Sequence, residues 1–341
     1  MKDESMVNLL SLPIPEPYFV SATDQYYDVI PSCEEKQPIK KVKNEKKKKG
    51  KKNKKKLSTE NANYKKLRIL ITTYWDYPAV GGLQNYIATL KAGLEKLGHF
   101  VDIIAPNQFP KDVRKNLKKK IFNETKQFYI DRYGCYSEKL VKENQRLSSY
   151  EMMLWNMNLE KYDIFHAQDR FTANILGRIN QYYQKPIFFT PHGFMTQRKL
   201  NNNLIDKGSV EEAYFLALDQ KAVESSNHII ALCEVFLPML KKLGAKDNEM
   251  TTIYSGIDFE LDNKQMVTKS LEEKTVISCI SRLRPRKGHK YLFEALALMR
   301  SELKNVDIWI VGDGEMRRVG ESGERFTIKK CFFSRGKKRY T

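Results

Sequence analysis

Four short stretches of this chain carry residues whose type and spacing could do chemistry. In SRLRPRKGHKYL, Arg282 and Lys287 follow an apolar run and precede an amphipathic one. Cations in a strand-loop-helix setting suit a diphosphate, because arginine binds phosphate bidentately and lysine acts as a point charge. His192 in TPHGF falls at the carboxyl end of an apolar run, the edge at which open α/β sheets bind ligands. His166 in IFHAQ has equivalent standing, whereas His99 directly follows Gly98 and reads as a helix-end residue. The pair Gly81-Gly82 lets backbone amides approach an anion at a helix start. VGDGE places Gly312 and Gly314 in a turn at the end of another strand. Five scattered cysteines without a CxxC pair give no zinc-site spacing, and no metal is expected.

The elements that must position these groups are legible in the hydrophobic pattern. LRILITTYW is an apolar, β-branched run and reads as a buried parallel strand. LQNYIATLKAGLEKLG sets Leu83, Ile87, Leu90, Leu94 and Leu97 at helical spacing, and FVDIIAP is the next strand. This β-α-β unit opens a doubly wound sheet. Strands at YDIFHAQ, PIFFTPHG, HIIALC and MTTIYSGID alternate with helices at TANILGRINQYY, VEEAYFLALDQKAVESS and VFLPMLKKLG. Residues 107–160 read as two helices around YEMMLWNMNLE. After the polar stretch ELDNKQMVTKSLEEK the rhythm restarts with TVISCISRL, GHKYLFEALALMRSEL and VDIWIVGDG, the beginning of a second domain.

The net charge of +19 is unevenly placed. Residues 40–56, KKVKNEKKKKGKKNKKK, hold twelve lysines and one glutamate, so this tract supplies +11 and the other 324 residues +8. Five prolines and the lysine run make residues 1–66 read as a disordered leader, with an aromatic-apolar patch at LLSLPIPEPYFV and DQYYDVI. The tract lacks interleaved aromatics for base stacking, which disfavours nucleic acid as its partner. No run reaches the length of about 18 apolar residues that a membrane span requires. The expected location is cytoplasmic, with the basic leader available for a peripheral contact with a membrane or an assembly.

Taken in order, GGLQNYIATLKAGLEKLGH, FFTPHGF, SNHIIALCEVF, IYSGID, ISRLRPRKGHKYLFEAL and IVGDGE resemble glycosyltransferase family 4 over residues 67–315. The resemblance implies a GT-B type α/β fold of two Rossmann-like doubly wound domains. Residues 67–260 would form the acceptor-side domain, 261–315 the start of the nucleotide-sugar-binding domain, and 316–341 an aberrant tail. It implies a retaining transfer of sugar from a nucleotide-diphosphate donor to a glycan or lipid-linked acceptor, with the nucleotide sugar as co-substrate and no cofactor. By the same resemblance, Gly81 and Gly82 lie near the donor phosphates and the acceptor, and His192 by the transferred sugar. Arg282 and Lys287 hold the diphosphate, with Gly312 and Gly314 on the donor side.

The sequence departs from the family pattern at Gln84, where a glutamate is usual, at Ser255, where an asparagine is usual, and at Cys233, where serine is common. Family members also continue past the GDG turn with further βα units and an E-x7-E segment, which residues 316–341 do not show. The expectation is a frameshift or premature stop near Glu315, an incomplete second domain and little transferase activity. A non-catalytic glycan-binding or tethering module, and a lysine-tract binder of nucleic acid or another anionic polymer, are the alternatives. The tract itself makes a prediction: retention of the chain on a polyanionic column falls steeply with salt, and deleting residues 40–56 removes most of that dependence. An unchanged salt dependence after the deletion would move the basic contact to the folded part.

Overall fold

The computed structural model describes residues 9–28, 65–256, 275–299 and 306–314. The lysine tract, Cys33, Cys331 and residues 316–341 lie outside them. The chain divides into two compact units, Met1–Phe259 and Glu260–Thr341. In the first, β1 (Arg68–Thr72), β2 (Phe100–Ile104), β3 (Ile164–Ala167), β4 (Ile187–Phe189), β5 (His228–Ala231) and β6 (Met250–Thr252) form a parallel sheet ordered β2-β1-β3-β4-β5-β6. Eight helices accompany them among the described residues: α1 (Val20–Asp28), α2 (Gly82–Lys96), α3 (Lys111–Tyr133), α4 (Glu138–Trp155), α5 (Arg170–Tyr183), α6 (Met195–Asn201), α7 (Val210–Glu224) and α8 (Leu237–Lys242).

The direction of winding reverses at β1. From β1 the chain steps to β2 on one side, then crosses back to β3 and continues outward. Right-handed crossovers therefore place α2 on one face and the later helices on the other. Alternating side chains along β1 record this division. Ile69 and Ile71 pack with Ile87 and Val101, joined by Leu83, Tyr86, Leu90 and Leu94 of α2. Leu70 faces the larger core, with Phe165 and Ala167 of β3, Ile187 and Phe189 of β4, and buried residues of α4, α5 and α7. The strands are short, and α6 was not visible in the pattern, since MTQRKLN has too few apolar positions to show a period.

The leader requires a correction. Leu9 and Tyr18 are buried in the first unit's core, and α1 packs on α7. Tyr18 donates from its backbone N–H to Asn144 Oδ1 at 2.6 Å and from its hydroxyl to Glu151 Oε2 at 2.6 Å. The Arg178 guanidinium lies 4.1 Å over the Tyr18 ring, and Arg132 makes a forked pair with Asp24 at 2.9 and 2.8 Å. Composition averaged over residues 1–66 hid this segment, because the lysine tract dominates the average. Locally, apolar and aromatic side chains bury on the helices, while three prolines restrict the unfolded chain and so lower the entropy lost on docking.

In the second unit, β7 (Thr275–Ile280) and β8 (Val306–Val311) pair in parallel from Thr275↔Val306 to Ile280↔Val311, with α9 (His289–Leu298) between them in sequence. The strand-loop-helix-strand order matches the pattern read from the sequence.

The seam between α5 and α7 is tight at Gly177. A Cβ there would come within 2.4 Å of Ser225 Oγ and 2.6 Å of its Cβ. Gly177→Ala is expected to destabilise the chain by about 1–3 kcal/mol through overpacking, despite alanine's better helix propensity. Urea denaturation measures it, and an unchanged or raised midpoint would show that the seam opens freely.

Candidate functional site

The loops at the carboxyl ends of β1, β3 and β4 converge where the sheet reverses, and Asp169 ties two of them together. Its Oδ1 accepts the Thr172 N–H at 3.0 Å, an N-cap for α5. Its Oδ2 accepts the Thr73 hydroxyl at 3.0 Å and the Tyr74 N–H at 2.7 Å. Burial raises the Asp169 pKa above the ordinary carboxylate value, and the hydrogen bonds it accepts oppose that rise.

His192 sits half-buried on the loop after β4. Its Nε2 lies 3.0 Å from Gln168 Oε1, and its ring meets Tyr86 of α2 edge-on at 4.9 Å between centroids. With Gln168 Oε1 accepting, the imidazole carries its proton on Nε2 and leaves Nδ1 as an acceptor. Burial lowers the His192 pKa to about 4, so the ring is neutral at pH 7. The Gln168 amide nitrogen is buried without a partner among the described residues. Beneath this layer, His166 Nε2 stands 2.8 Å from Thr190 Oγ1. His166 is 5% exposed, and burial first, then the nearby His192, lowers its pKa to about 4. It is a buried strand residue that supports the Thr190 loop and does not line the edge as an open group. His99 closes a helix end, its backbone N–H donating to Leu94 O at 3.1 Å and its Nδ1 accepting the Leu67 N–H at 3.2 Å.

Gly81 is the N-cap of α2 and adopts extended backbone. A Cβ on Gly82 would meet nothing within 4 Å, so the start of α2 is open on that side. Gln84 donates from its amide to Asp76 O at 3.0 Å, tying the first turn of α2 to the β1 loop. The structure thus gathers Gly81, Gly82 and His192 onto one edge of the first unit.

Arg282, Lys287, Gly312 and Gly314 belong to the second unit. Gly312 and Gly314 are explained by close backbone approach. A Cβ on Gly312 would lie 1.8 Å from Ser281 O, and one on Gly314 would lie 2.3 Å from Leu283 O. The loop after β7 rests on the turn after β8 through Ser281 N→Val311 O and Leu283 N→Asp313 O, both 3.0 Å. That seat presents Arg282, Arg284, Arg286 and Lys287, all exposed, ahead of α9. None of the four forms an ion pair among the described residues. His289, 3% exposed, steadies the loop from within, its Nε2 3.0 Å from Ser281 Oγ.

Sequence reasoning missed Tyr86, Gln168, Asp169, Thr190 and His289. Tyr86 and His289 lie within helical runs and Gln168 and Asp169 follow an apolar strand, so no local pattern separates them from ordinary packing or loop residues. Among the described residues no group of three or more His, Cys, Asp or Glu could hold a metal ion, and no helix is long and apolar enough to cross a membrane.

The family model described as Glycosyltransferase Family 4 matches residues 80–261. No curated protein matches the chain. Among solved structures, the chain is similar to sucrose-phosphate synthase from Thermosynechococcus elongatus, with a TM-score of 0.52 and 15% identity over 79% of this chain and 70% of that one. The catalytic domain of starch synthase IV from Arabidopsis thaliana, bound to ADP and acarbose, gives a TM-score of 0.51 and 17% identity over 79% and 74%. TarM, from S. aureus, gives 0.52 and 12% over 79% and 76%. These likenesses show the GT-B fold expected from the motifs.

The two depressed histidines predict a pH dependence of stability. Each binds its proton more readily when unfolded, so the stability it contributes is full above pH 6.5 and is lost as pH falls toward 4. Asp169 and Glu151, whose pKa values are raised by burial, work in the opposite direction. A difference measurement separates the two: His166→Gln, which keeps a partner for Thr190, flattens the fall in urea midpoint between pH 7 and pH 4. Parallel curves for the two proteins would show that His166 is not buried in its neutral form.

Proposed function

The chain belongs to glycosyltransferase family 4, and from that membership we propose that it transfers a sugar from a nucleotide-diphosphate donor to a glycan or lipid-linked hydroxyl acceptor, with retention at the anomeric carbon. The observation that carries this reading is the loop Arg282–Lys287. Four exposed cations, without carboxylate partners among the described residues, stand at the start of a helix on a rigid glycine-based seat. Such a group neutralises a diphosphate and favours the charge that grows on it as the sugar departs. Arg282 supplies the bidentate contact and Lys287 the point charge.

In the first unit, His192 acts as a neutral hydrogen-bonding group toward the transferred sugar, offering Nδ1 to a hydroxyl. Its low pKa supports this role over that of a cation. Gly81 and Gly82, at the open start of α2, take the acceptor side and approach the donor phosphates. We place the enzyme in the cytoplasm, with the lysine tract available for contact with an anionic surface, and infer that the transfer runs without a metal.

Calorimetric titration of the full chain with UDP, ADP and GDP tests the donor side. Binding of one of them, weakened about tenfold or more by Arg282→Ala and again by Lys287→Ala, is the expected result. His192→Ala should leave nucleotide affinity nearly unchanged and lower any sugar transfer that the chain supports. Glycan binding without any nucleotide binding would replace the enzyme reading with the binding-module one.

A further inference from the structure

A second set of cations lies in the first unit, on residues to which the motifs assign no role. Arg114 and Lys118 are one turn apart on α3 and so share a face. Arg146 of α4 and Lys199 of α6 converge on a single carboxylate oxygen, Glu143 Oε1, at 3.0 and 3.4 Å. The helices are held in this relation by Gln145, whose amide donates to Lys118 O at 2.7 Å. Arg114 is anchored through Nε to Phe109 O at 3.0 Å. All four cations are half-buried.

Cations outnumber carboxylates in this cluster, where Glu143 pairs with two of them and Asp76 acts on Lys118 from beyond ion-pair distance. Arg170, 6% exposed, uses NH1 on Asp219 at 2.9 Å, while its Nε and NH2 are buried without partners among the described residues. Glu143 thus serves Arg146 and Lys199 together, and neither Arg114 nor Lys118 has an ion-pair partner among the described residues. Lys118 is held below the usual lysine range by burial first, and then by Arg114 and Arg146, against the pull of Asp76. Lys199 is lowered by burial and by Arg170 and Arg146, against the pull of Glu143. Crowding like charges at half-buried positions is unfavourable unless a counter-charge joins them.

The cluster borders the candidate site. Tyr74, which follows β1 and hydrogen-bonds Asp169, feels the charges of Arg146 and Glu143, and α6 begins three residues after His192. We propose that Arg114, Lys118, Arg146 and Lys199 form an anion subsite on the acceptor side, which takes a phosphate group carried by the acceptor. This rests on the transferase reading above and adds the chemical class of its acceptor: a phosphorylated one. Flexible lysines and forked arginines from three helices match a tetrahedral group with three or four acceptor oxygens.

The test uses the full chain and inorganic phosphate, with melting temperature followed at constant ionic strength against chloride. Phosphate should stabilise the protein, and Lys118→Gln with Arg146→Gln should weaken its apparent binding about tenfold or more. The same titration on Arg282→Ala/Lys287→Ala protein separates this idea from the donor reading. Stabilisation that survives loss of the Arg282 loop and disappears with Lys118 and Arg146 supports the acceptor subsite. Stabilisation lost only with the Arg282 loop overturns it and leaves the donor reading intact, as does no stabilisation beyond chloride. Should the double glutamine variant fail to fold, Arg114→Gln, at a half-exposed position, gives the same readout. Competition by glycerol 3-phosphate or by phosphatidylglycerol vesicles then distinguishes a soluble phosphate from a lipid headgroup.

Discussion

The carboxylate of Asp169 is the constraint on which the first unit's candidate site depends. It caps α5 with one oxygen and holds the loop after β1 with the other, so two segments that diverge at the reversal of the sheet are joined at their tips. A sheet whose winding reverses leaves a crevice at that point, because the loops on either side lead to helices on opposite faces. Asp169 gives the crevice a defined wall. Gln168, its neighbour in the chain, reaches His192 on the next loop, and Tyr86 of α2 closes against the same imidazole. The β1 loop, the β3 loop, the β4 loop and the start of α2 are thereby coupled through a few buried polar contacts. Buried polar groups of this kind are costly unless satisfied, and hence they specify one arrangement.

The second unit solves a related problem by different means. Its basic loop carries like charges, which repel one another and would favour a splayed conformation. The backbone of that loop is instead seated on the turn after β8, at a distance that admits no Cβ on Gly312 or Gly314. His289 braces it from the first turn of α9. The loop keeps its concentrated positive charge because steric fit at two glycines fixes its backbone.

The docked segment at residues 9–28 shows a limit of compositional reasoning. Tyr18 brings a hydroxyl, a ring and a backbone N–H to Glu151, Arg178 and Asn144 on α4 and α5. Its position near a lysine tract made the whole leader read as unfolded, although the charge and the aromatic residues occupy different parts of it. Stability is local, and an average over 66 residues cannot register one well-placed tyrosine.

From the sequence alone, the alternation of strands and helices, the reversal implied by a first β-α-β unit and the carboxyl-edge position of His192 were all determined, because hydrophobic period and chain order are local properties. So was the setting of Arg282 and Lys287 between a strand and a helix. The tertiary structure decided which of these groups have partners. His166 and His192 look alike in sequence, each near the end of an apolar run, yet one is a buried support and the other lies half-buried at the edge. Gly312 and Gly314 look like a ligand turn, and their necessity comes from the carbonyls of Ser281 and Leu283, about 30 residues earlier. The cluster of Arg114, Lys118, Arg146 and Lys199 has no sequence signature, since it forms only when α3 packs on α4 and Lys199 of the later α6 reaches Glu143. Spacing along the chain encodes the elements, whereas burial and charge balance arise between them.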